Sequence, residues 1–173
     1  MSKEPITDGS QPDGGHRPPL QHRPRLTRLA WLFTDAPLFF VTACTHQRRQ
    51  LLADGSVHET FREFARRATE HGVWVGRYVL MPDHLHLFVS SAPEAAGLSA
   101  WMKSLKNTLS KTLRQQRIPT PHWQKGFFDH VLRSEESYLE KWQYVALNPV
   151  RAGLVTKPDD WPFQGEIHEL EQR

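Results

Sequence analysis

Four short apolar runs along the chain have the composition of β-strands. The first follows Pro37 and is rich in aromatic and β-branched residues. Two more flank the tripeptide Met81-Pro82-Asp83, whose Pro-Asp pair is typical of a tight turn between antiparallel strands. The fourth follows Gly126. The pattern therefore predicts strands at residues 38–45, 73–80, 84–90 and 127–132.

Three other segments repeat their apolar residues every three or four positions, which is the period of an amphipathic helix. The first ends before Gly72, a residue suited to a helix C-terminus. The last has Ser134 as a candidate N-cap and ends at Asn148-Pro149, because a residue before proline avoids the helical region. The predicted helices cover about 57–71, 98–116 and 135–147.

The first six elements follow the order strand, helix, strand, strand, helix, strand. This is the order of the split βαβ arrangement in ferredoxin-like folds. We therefore predict an α+β fold, with a ferredoxin-like (RRM-like) antiparallel sheet and helices on one face. An extra C-terminal helix follows and carries Tyr144.

Composition places most of the chain in a globular domain, with 38% hydrophobic and 24% charged residues. No apolar run approaches the roughly 20 residues that span a bilayer, so no membrane partner is expected. One cysteine, Cys44, excludes an intrachain disulfide and favours a reducing cytoplasm. We predict a disordered basic arm at 1–24 without a secretory signal, a domain at 25–163 and an acidic tail at 164–173.

Charge is distributed unevenly along the chain. Residues 95–128 contain no Asp or Glu, and the basic residues of the predicted helix at 98–116 lie opposite its apolar stripe. Such a one-sign surface indicates an anionic partner, most simply nucleic acid, although a solvated helix face gives the same pattern. The candidate DNA-binding residues are Lys103, Lys106, Lys111 and Arg114, with Arg25 and Arg28 at the start of the domain.

His84-Leu85-His86 is a candidate metal site. Residues i and i+2 of a strand point to the same side, so both imidazoles can converge on one divalent ion. The alternative is that they are two ordinary polar positions. Phe88 lies on the same side of the strand as the histidines.

Tyr144 and Asn148 are four residues apart and share a helix face. A tyrosine hydroxyl can attack a phosphodiester that a metal polarises, and an amide oxygen can bind a hard cation. The alternative is that the tyrosine only packs and that Asn148 caps the helix before Pro149.

Several spaced motifs together resemble one family. Residues 81–87, MPDHLHL, resemble the Met-Pro-Asp/Asn-His-x-His signature of the HUH single-tyrosine transposases. Residues 144–155 are similar to the tyrosine helix of their REP-associated branch, and residues 39–42 and 126–130 also resemble segments of it. The similarity extends over about 37–163.

The resemblance implies a ferredoxin-like nuclease domain that acts on single-stranded DNA and forms a 5′-phosphotyrosine link. His84 and His86 would be ligands of Mg²⁺ or Mn²⁺, Asn148 the third ligand and Tyr144 the nucleophile. The implied substrates are hairpins of repetitive extragenic palindromes (REP elements). The resemblance also implies a monomer or homodimer located in the bacterial cytoplasm, at the nucleoid.

Three other functions compete with this interpretation. A relaxase or rolling-circle replication initiator would use the same site, but the chain has no helicase region. A hairpin-DNA-binding protein without catalysis would need the basic helix alone. An RNA-binding module could stack bases on Phe39, Phe40 and Phe88, although the usual RNP sequence pattern is not visible.

Overall fold

The structure is a computed structural model that describes residues 36–93, 95, 97–132 and 135–170. The five strands are β1 (Leu38–Cys44), β2 (Val73–Leu80), β3 (His84–Ser91), β4 (Phe128–Leu132) and β5 (Gln164–Glu166). The α-helices are α1 (Gly55–Arg66), α2 (Leu98–Gln115), α3 (Glu135–Ala146) and α4 (Asn148–Arg151). The predictions for the arm, Arg25, Arg28 and Ser134 lie outside the described residues.

The strands form one antiparallel sheet in the order β4-β1-β3-β2-β5. The predicted α+β class and the predicted order of the first six elements are confirmed. The two-residue turn Pro82-Asp83 joins β2 to β3, and the Met81 amide donates to the His84 carbonyl oxygen at 2.8 Å. This turn fixes the register that puts His84 and His86 on one face.

The first helix is defined by its two ends. The Asp54 carboxylate accepts from the Ser56 and Val57 amides and caps the N-terminus of α1. A short 3-10 segment, Arg67–His71, continues the helix to Gly72, whose φ of 68° is the left-handed conformation that glycine adopts most easily. The chain then enters β2.

One face of the sheet is sealed by α1 and α2. Leu85, Leu87 and Val89 of β3 point into this layer and pack with Phe61 of α1 and Leu105 of α2, all fully buried. The apolar stripe predicted for the long helix is the surface that makes this core. We call this side the sealed face.

The opposite face is covered only in part. Phe40 and Phe88 point to this side and pack against Tyr138 and Val145 of α3. The histidines lie on the same side because side chains alternate along a strand. We call this side the site face.

None of the helices in the described part of the chain is long and apolar enough to cross a membrane.

The predicted acidic tail at 164–173 is wrong for residues 164–170, which belong to the domain. β5 extends the sheet along β2, and the Ile167 and His168 amides donate to the Gly76 and Val75 carbonyl oxygens. Leu170 is buried against Gly76, where an added Cβ would lie 2.6 Å from the leucine Cδ1 atom. Residues 171–173 lie outside the described residues.

Candidate active site

His84 and His86 form the centre of the candidate site. Both stand on the site face of β3, with ring centroids 4.7 Å apart and ring planes at 84°. The predicted convergence of the two side chains is therefore present. Phe88 follows on the same face and is buried beneath α3, as the strand alternation requires.

Each imidazole uses its Nδ1 atom for a protein partner. His84 Nδ1 lies 2.6 Å from Asp83 Oδ1, and His86 Nδ1 lies 2.8 Å from Thr42 Oγ1 on β1. An ionised carboxylate can only accept, so the Asp83 contact places the proton of a neutral His84 on Nδ1. Nε2 is then left with the lone pair that a metal binds, as in many metal-histidine sites.

Arg48 fixes the carboxylate that orients His84. Its Nε lies 2.8 Å from Asp83 Oδ2, and its Nη1 lies 2.9 Å from the Cys44 sulfur at the end of β1. Arg48 follows β1, so one side chain ties that strand end to the turn before β3. No local sequence pattern marks this pairing, because the two charged residues are 35 positions apart.

His86 is held as a neutral imidazole. It stacks on Phe40 with centroids 5.3 Å apart and planes at 20°. Burial lowers the pKa of His86 to about 3, with His84 and the cations Arg48 and Lys141 acting in the same direction. A neutral imidazole can coordinate a metal throughout the physiological pH range.

The chemistry of these donors suits a divalent cation that takes its remaining ligands from elsewhere. The described residues hold no group of three His, Cys, Asp or Glu side chains placed to bind one ion. A metal on His84 and His86 would therefore need amide, water or substrate oxygens to complete its coordination. Asn148 is the predicted third ligand.

Tyr144 lies exposed near the end of α3. Its side chain is 60% exposed, and the Arg151 guanidinium sits over its ring at 4.0 Å. Arg151 also donates to the Asn148 side-chain oxygen at 2.6 Å and to the Tyr144 carbonyl oxygen. The helix predicted at 135–147 is present as α3, and Asn148 and Pro149 then begin a further short helix, α4.

Tyr138 occupies the same helix in a very different environment. It is 6% exposed and packs edge-on against Phe88 at 4.7 Å. Burial raises the pKa of Tyr138 to about 12, which disfavours the phenolate further. Of these two tyrosines on α3, only Tyr144 is accessible to a phosphate.

The structure brings the two candidate groups to the same side of the sheet without direct contact. In the part of the chain that the structure describes, no hydrogen bond or ring contact joins Tyr144 or Asn148 to His84 or His86. Lys141 of α3 lies near the histidine pair, with its ammonium 5.4 Å from the Phe40 ring on which His86 stacks.

The basic residues of α2 do not share this side of the molecule. Lys103, Lys111 and Arg114 are exposed on the outer surface of α2, which packs on the sealed face. Lys106 lies on the flank instead, where it donates to the Gln124 and Gly126 carbonyl oxygens. Lys106 therefore contacts the loop instead of the predicted stripe, and burial there lowers its pKa.

The aromatic surface proposed for an RNA-binding module is absent at its predicted residues. Phe40 and Phe88 are 6% and 0% exposed beneath α3, and Phe39 packs on the sealed face. These rings cannot stack on a base. Phe128 of β4 is exposed on the site face, and the sequence did not identify it as a functional residue.

The chain is similar to proteins of one family. The family model described as "Transposase IS200 like" matches residues 39–145, which include both histidines and Tyr144. The REP-associated tyrosine transposase of Escherichia coli K12 is 26% identical over 128 residues, covering 72% of this chain and 73% of its own. A Haemophilus influenzae protein given the same name provisionally is 25% identical over 142 residues, covering 76% of this chain and 80% of its own.

A solved structure shares the fold. The REP-associated tyrosine transposase bound to a REP hairpin superposes with a TM-score of 0.62 at 18% identity. The superposition covers 84% of this chain and 94% of the other. At this identity the likeness concerns the arrangement of strands and helices.

Proposed function

Because the chain belongs to the IS200-like transposase family, we propose that it cuts and rejoins single-stranded DNA through a covalent 5′-phosphotyrosine link on Tyr144. The observation that carries this proposal is the histidine pair. Its two Nδ1 atoms are engaged by Asp83 and Thr42, and both Nε2 atoms remain for a metal. Two imidazoles set in this way, with an accessible tyrosine on the same side of the sheet, suit a nuclease better than a passive DNA-binding surface.

We propose Mg²⁺ or Mn²⁺ as the metal, held by His84 and His86 with Asn148 as the third ligand. When bound, it would polarise the scissile phosphate and stabilise the charge that builds up during attack. Three neutral ligands suit a weakly held ion that the substrate completes. Asn148 would coordinate through its side-chain oxygen, which in the structure also accepts a hydrogen bond from Arg151.

Tyr144 supplies the nucleophile. Its phenol oxygen attacks phosphorus, the bond from phosphorus to the 3′ oxygen breaks, and the net proton transfer is from the phenol to the departing 3′ oxygen. The new phosphotyrosine conserves the phosphodiester bond, so another 3′-hydroxyl can reverse the step and join a new end. Arg151, over the tyrosine ring, brings positive charge to the position where the phosphate must arrive.

Hairpins of REP elements are the proposed substrates. The named relatives and the solved structure with its bound hairpin support this choice. A hairpin-binding protein without catalysis is the second candidate, because the structure shows no direct contact between Tyr144 and the histidines.

A covalent adduct between the protein and DNA distinguishes the two candidate functions. Labelled hairpins from the source genome are incubated with the protein and Mg²⁺ or Mn²⁺, and a denaturing gel reports protein-linked DNA. Tyr144→Phe should abolish the adduct and leave hairpin binding nearly unchanged, because one oxygen barely alters the shape. Tyr138→Phe is the matched control and should keep the adduct. A wild-type protein that binds hairpins but forms no adduct would support the second candidate.

The third ligand is tested by metal titration of the same reaction. Asn148→Ala should raise the metal concentration needed for cleavage, whereas Asn148→Asp should preserve or tighten metal binding because a carboxylate is a better ligand. If both variants follow the parent's titration curve, Asn148 only accepts from Arg151 and begins α4.

A further inference from the structure

Phe128 is an exposed aromatic residue in line with the histidine pair. It is 64% exposed at the start of β4, the outer strand next to β1. Its register partner on β1 is Thr42, and the partner of Thr42 on β3 is His86. Directly opposed residues of a sheet point to the same face, so the three side chains form one row across the site face. Two strand spacings separate the Cα atoms of Phe128 and His86 by roughly 10 Å.

The coverage of the site face ends along β4. Leu132, at the far end of the strand, is 3% exposed and belongs to the core beneath α3. His130 and Phe128 continue the same face of the strand and are both exposed. Single exposed apolar side chains are common on proteins. Phe128 differs from these because it lies beside a candidate catalytic pair on the open part of the same face.

The charges around this row suit a nucleic-acid strand. The Lys141 ammonium lies over Phe40, which neighbours Thr42 on the same face of β1. The Asp83 carboxylate, which adjoins His84, is paired with Arg48. Asp129, the acidic residue next to Phe128, points to the other side of the sheet because side chains alternate. An anionic strand crossing this row would therefore meet little repulsion.

We propose that Phe128 is a stacking platform for an unpaired base of the DNA strand, one that lies beside the scissile phosphate. This inference rests on the proposed function and adds a contact that positions the substrate. An aromatic face takes any base, so Phe128 would hold the strand without reading its sequence. Phe128 and His86 lie at opposite ends of the row. A base stacked on Phe128 would therefore fix the direction in which the DNA strand passes the histidines.

The proposal is tested by binding of a fluorescein-labelled oligothymidylate in the presence of EDTA, which separates stacking from metal-dependent cleavage. Alanine substitution of a stacking aromatic weakens binding by about 5-fold to 150-fold per base. Phe128→Ala should show such a loss. Phe128→Trp should restore binding, and Phe128→Leu should not, because leucine is apolar without an aromatic face. A blunt duplex of equal length should bind all variants alike.

Val131→Ala is the matched control. Val131 is 42% exposed on the same strand and points to the opposite face, so its loss should leave binding unchanged. In a hairpin with 2-aminopurine in its single-stranded flank, the parent should quench the fluorescence and Phe128→Ala should not. Equal binding by parent, Phe128→Ala and Phe128→Leu would overturn the platform while the tyrosine adduct still forms. A parent protein that neither binds single strands nor forms the adduct would overturn the proposed function as well.

Discussion

The sealed face and the site face belong to the same three central strands but carry different chemistry. On the sealed face, Leu85 and Leu87 meet two helices and exclude solvent completely. The alternate residues His84 and His86 point to the site face, which α3 covers only in part. Strand alternation thus places the fully closed core on one side of the sheet and the histidines on the other, next to the smaller core beneath α3. Volume should be critical on one side, and hydrogen-bonding groups should be critical on the other.

The largest expected effect is a loss of stability when a side chain is removed from the core of the sealed face. Leu105→Ala should lower the free energy of unfolding by about 2–5 kcal/mol, because it removes a fully buried side chain and leaves a cavity. Leu139→Ala, which truncates a 44% exposed leucine on α3, should change it by no more than about 0.5 kcal/mol. Urea unfolding measures both. Adduct formation per folded molecule should be unaffected by Leu105→Ala, and a loss of activity without a loss of stability would contradict the separation of the two faces.

A smaller effect, on metal affinity, is expected when a hydrogen-bonding group is removed from the site face and the buried core is left intact. Asp83→Ala should raise the metal concentration required for adduct formation about 10-fold to 100-fold, because His84 would lose the acceptor that fixes its ring. Asp83→Asn keeps an acceptor oxygen and should recover most of the affinity. A Mn²⁺ titration of adduct formation measures this effect.

The same variants have a readout that requires no metal. In the metal-free parent, imidazole ¹⁵N shifts should report the proton of His84 on Nδ1, and Asp83→Ala should mix the two tautomers. Glu59→Ala removes an exposed carboxylate of α1 and serves as the control. If Asp83→Ala retains both the parent's metal curve and its tautomer, Asp83 is only the partner of Arg48.

The smallest effect is expected on the outer surface of α2, which belongs to neither face. Lys103, Lys111 and Arg114 changed together to Ala should weaken hairpin binding. The log–log salt slope should fall by about 0.7 for each phosphate of a single strand that these cations no longer neutralise. Cleavage of DNA already bound should continue at the parent rate, since the histidines lie on the other side of the sheet. Equal slopes for variant and parent would mean that this surface only faces solvent.

The parts of the site that depend on local sequence signals could be predicted. The Pro82-Asp83 turn and the alternation after it were sufficient to place His84, His86 and Phe88 on one face, because strand geometry leaves few alternatives. The apolar stripe of α2 was readable for the same reason.

Pairings between distant parts of the chain were not readable. Thr42 and His86 meet across 44 residues, and nothing near either position marks the pair. Lys106 looked like a member of the basic stripe, but the loop around Trp123 folds back over it. β5 consists of Gln164, Gly165 and Glu166, which have no strand preference, and it forms because the outer edge of β2 has backbone groups to pair.

The close packing of Leu170 on Gly76 has a practical consequence for engineering the protein. A gene shortened after Phe163, where the domain predicted from the sequence ends, would remove β5 together with this leucine. The backbone N–H and C=O groups along the outer edge of β2 would then be unpaired and exposed. Such groups can pair with a strand of another molecule and cause aggregation. Shortened versions for crystallography or screening should therefore retain the chain through Leu170, and Gly76 should be kept free of any side chain.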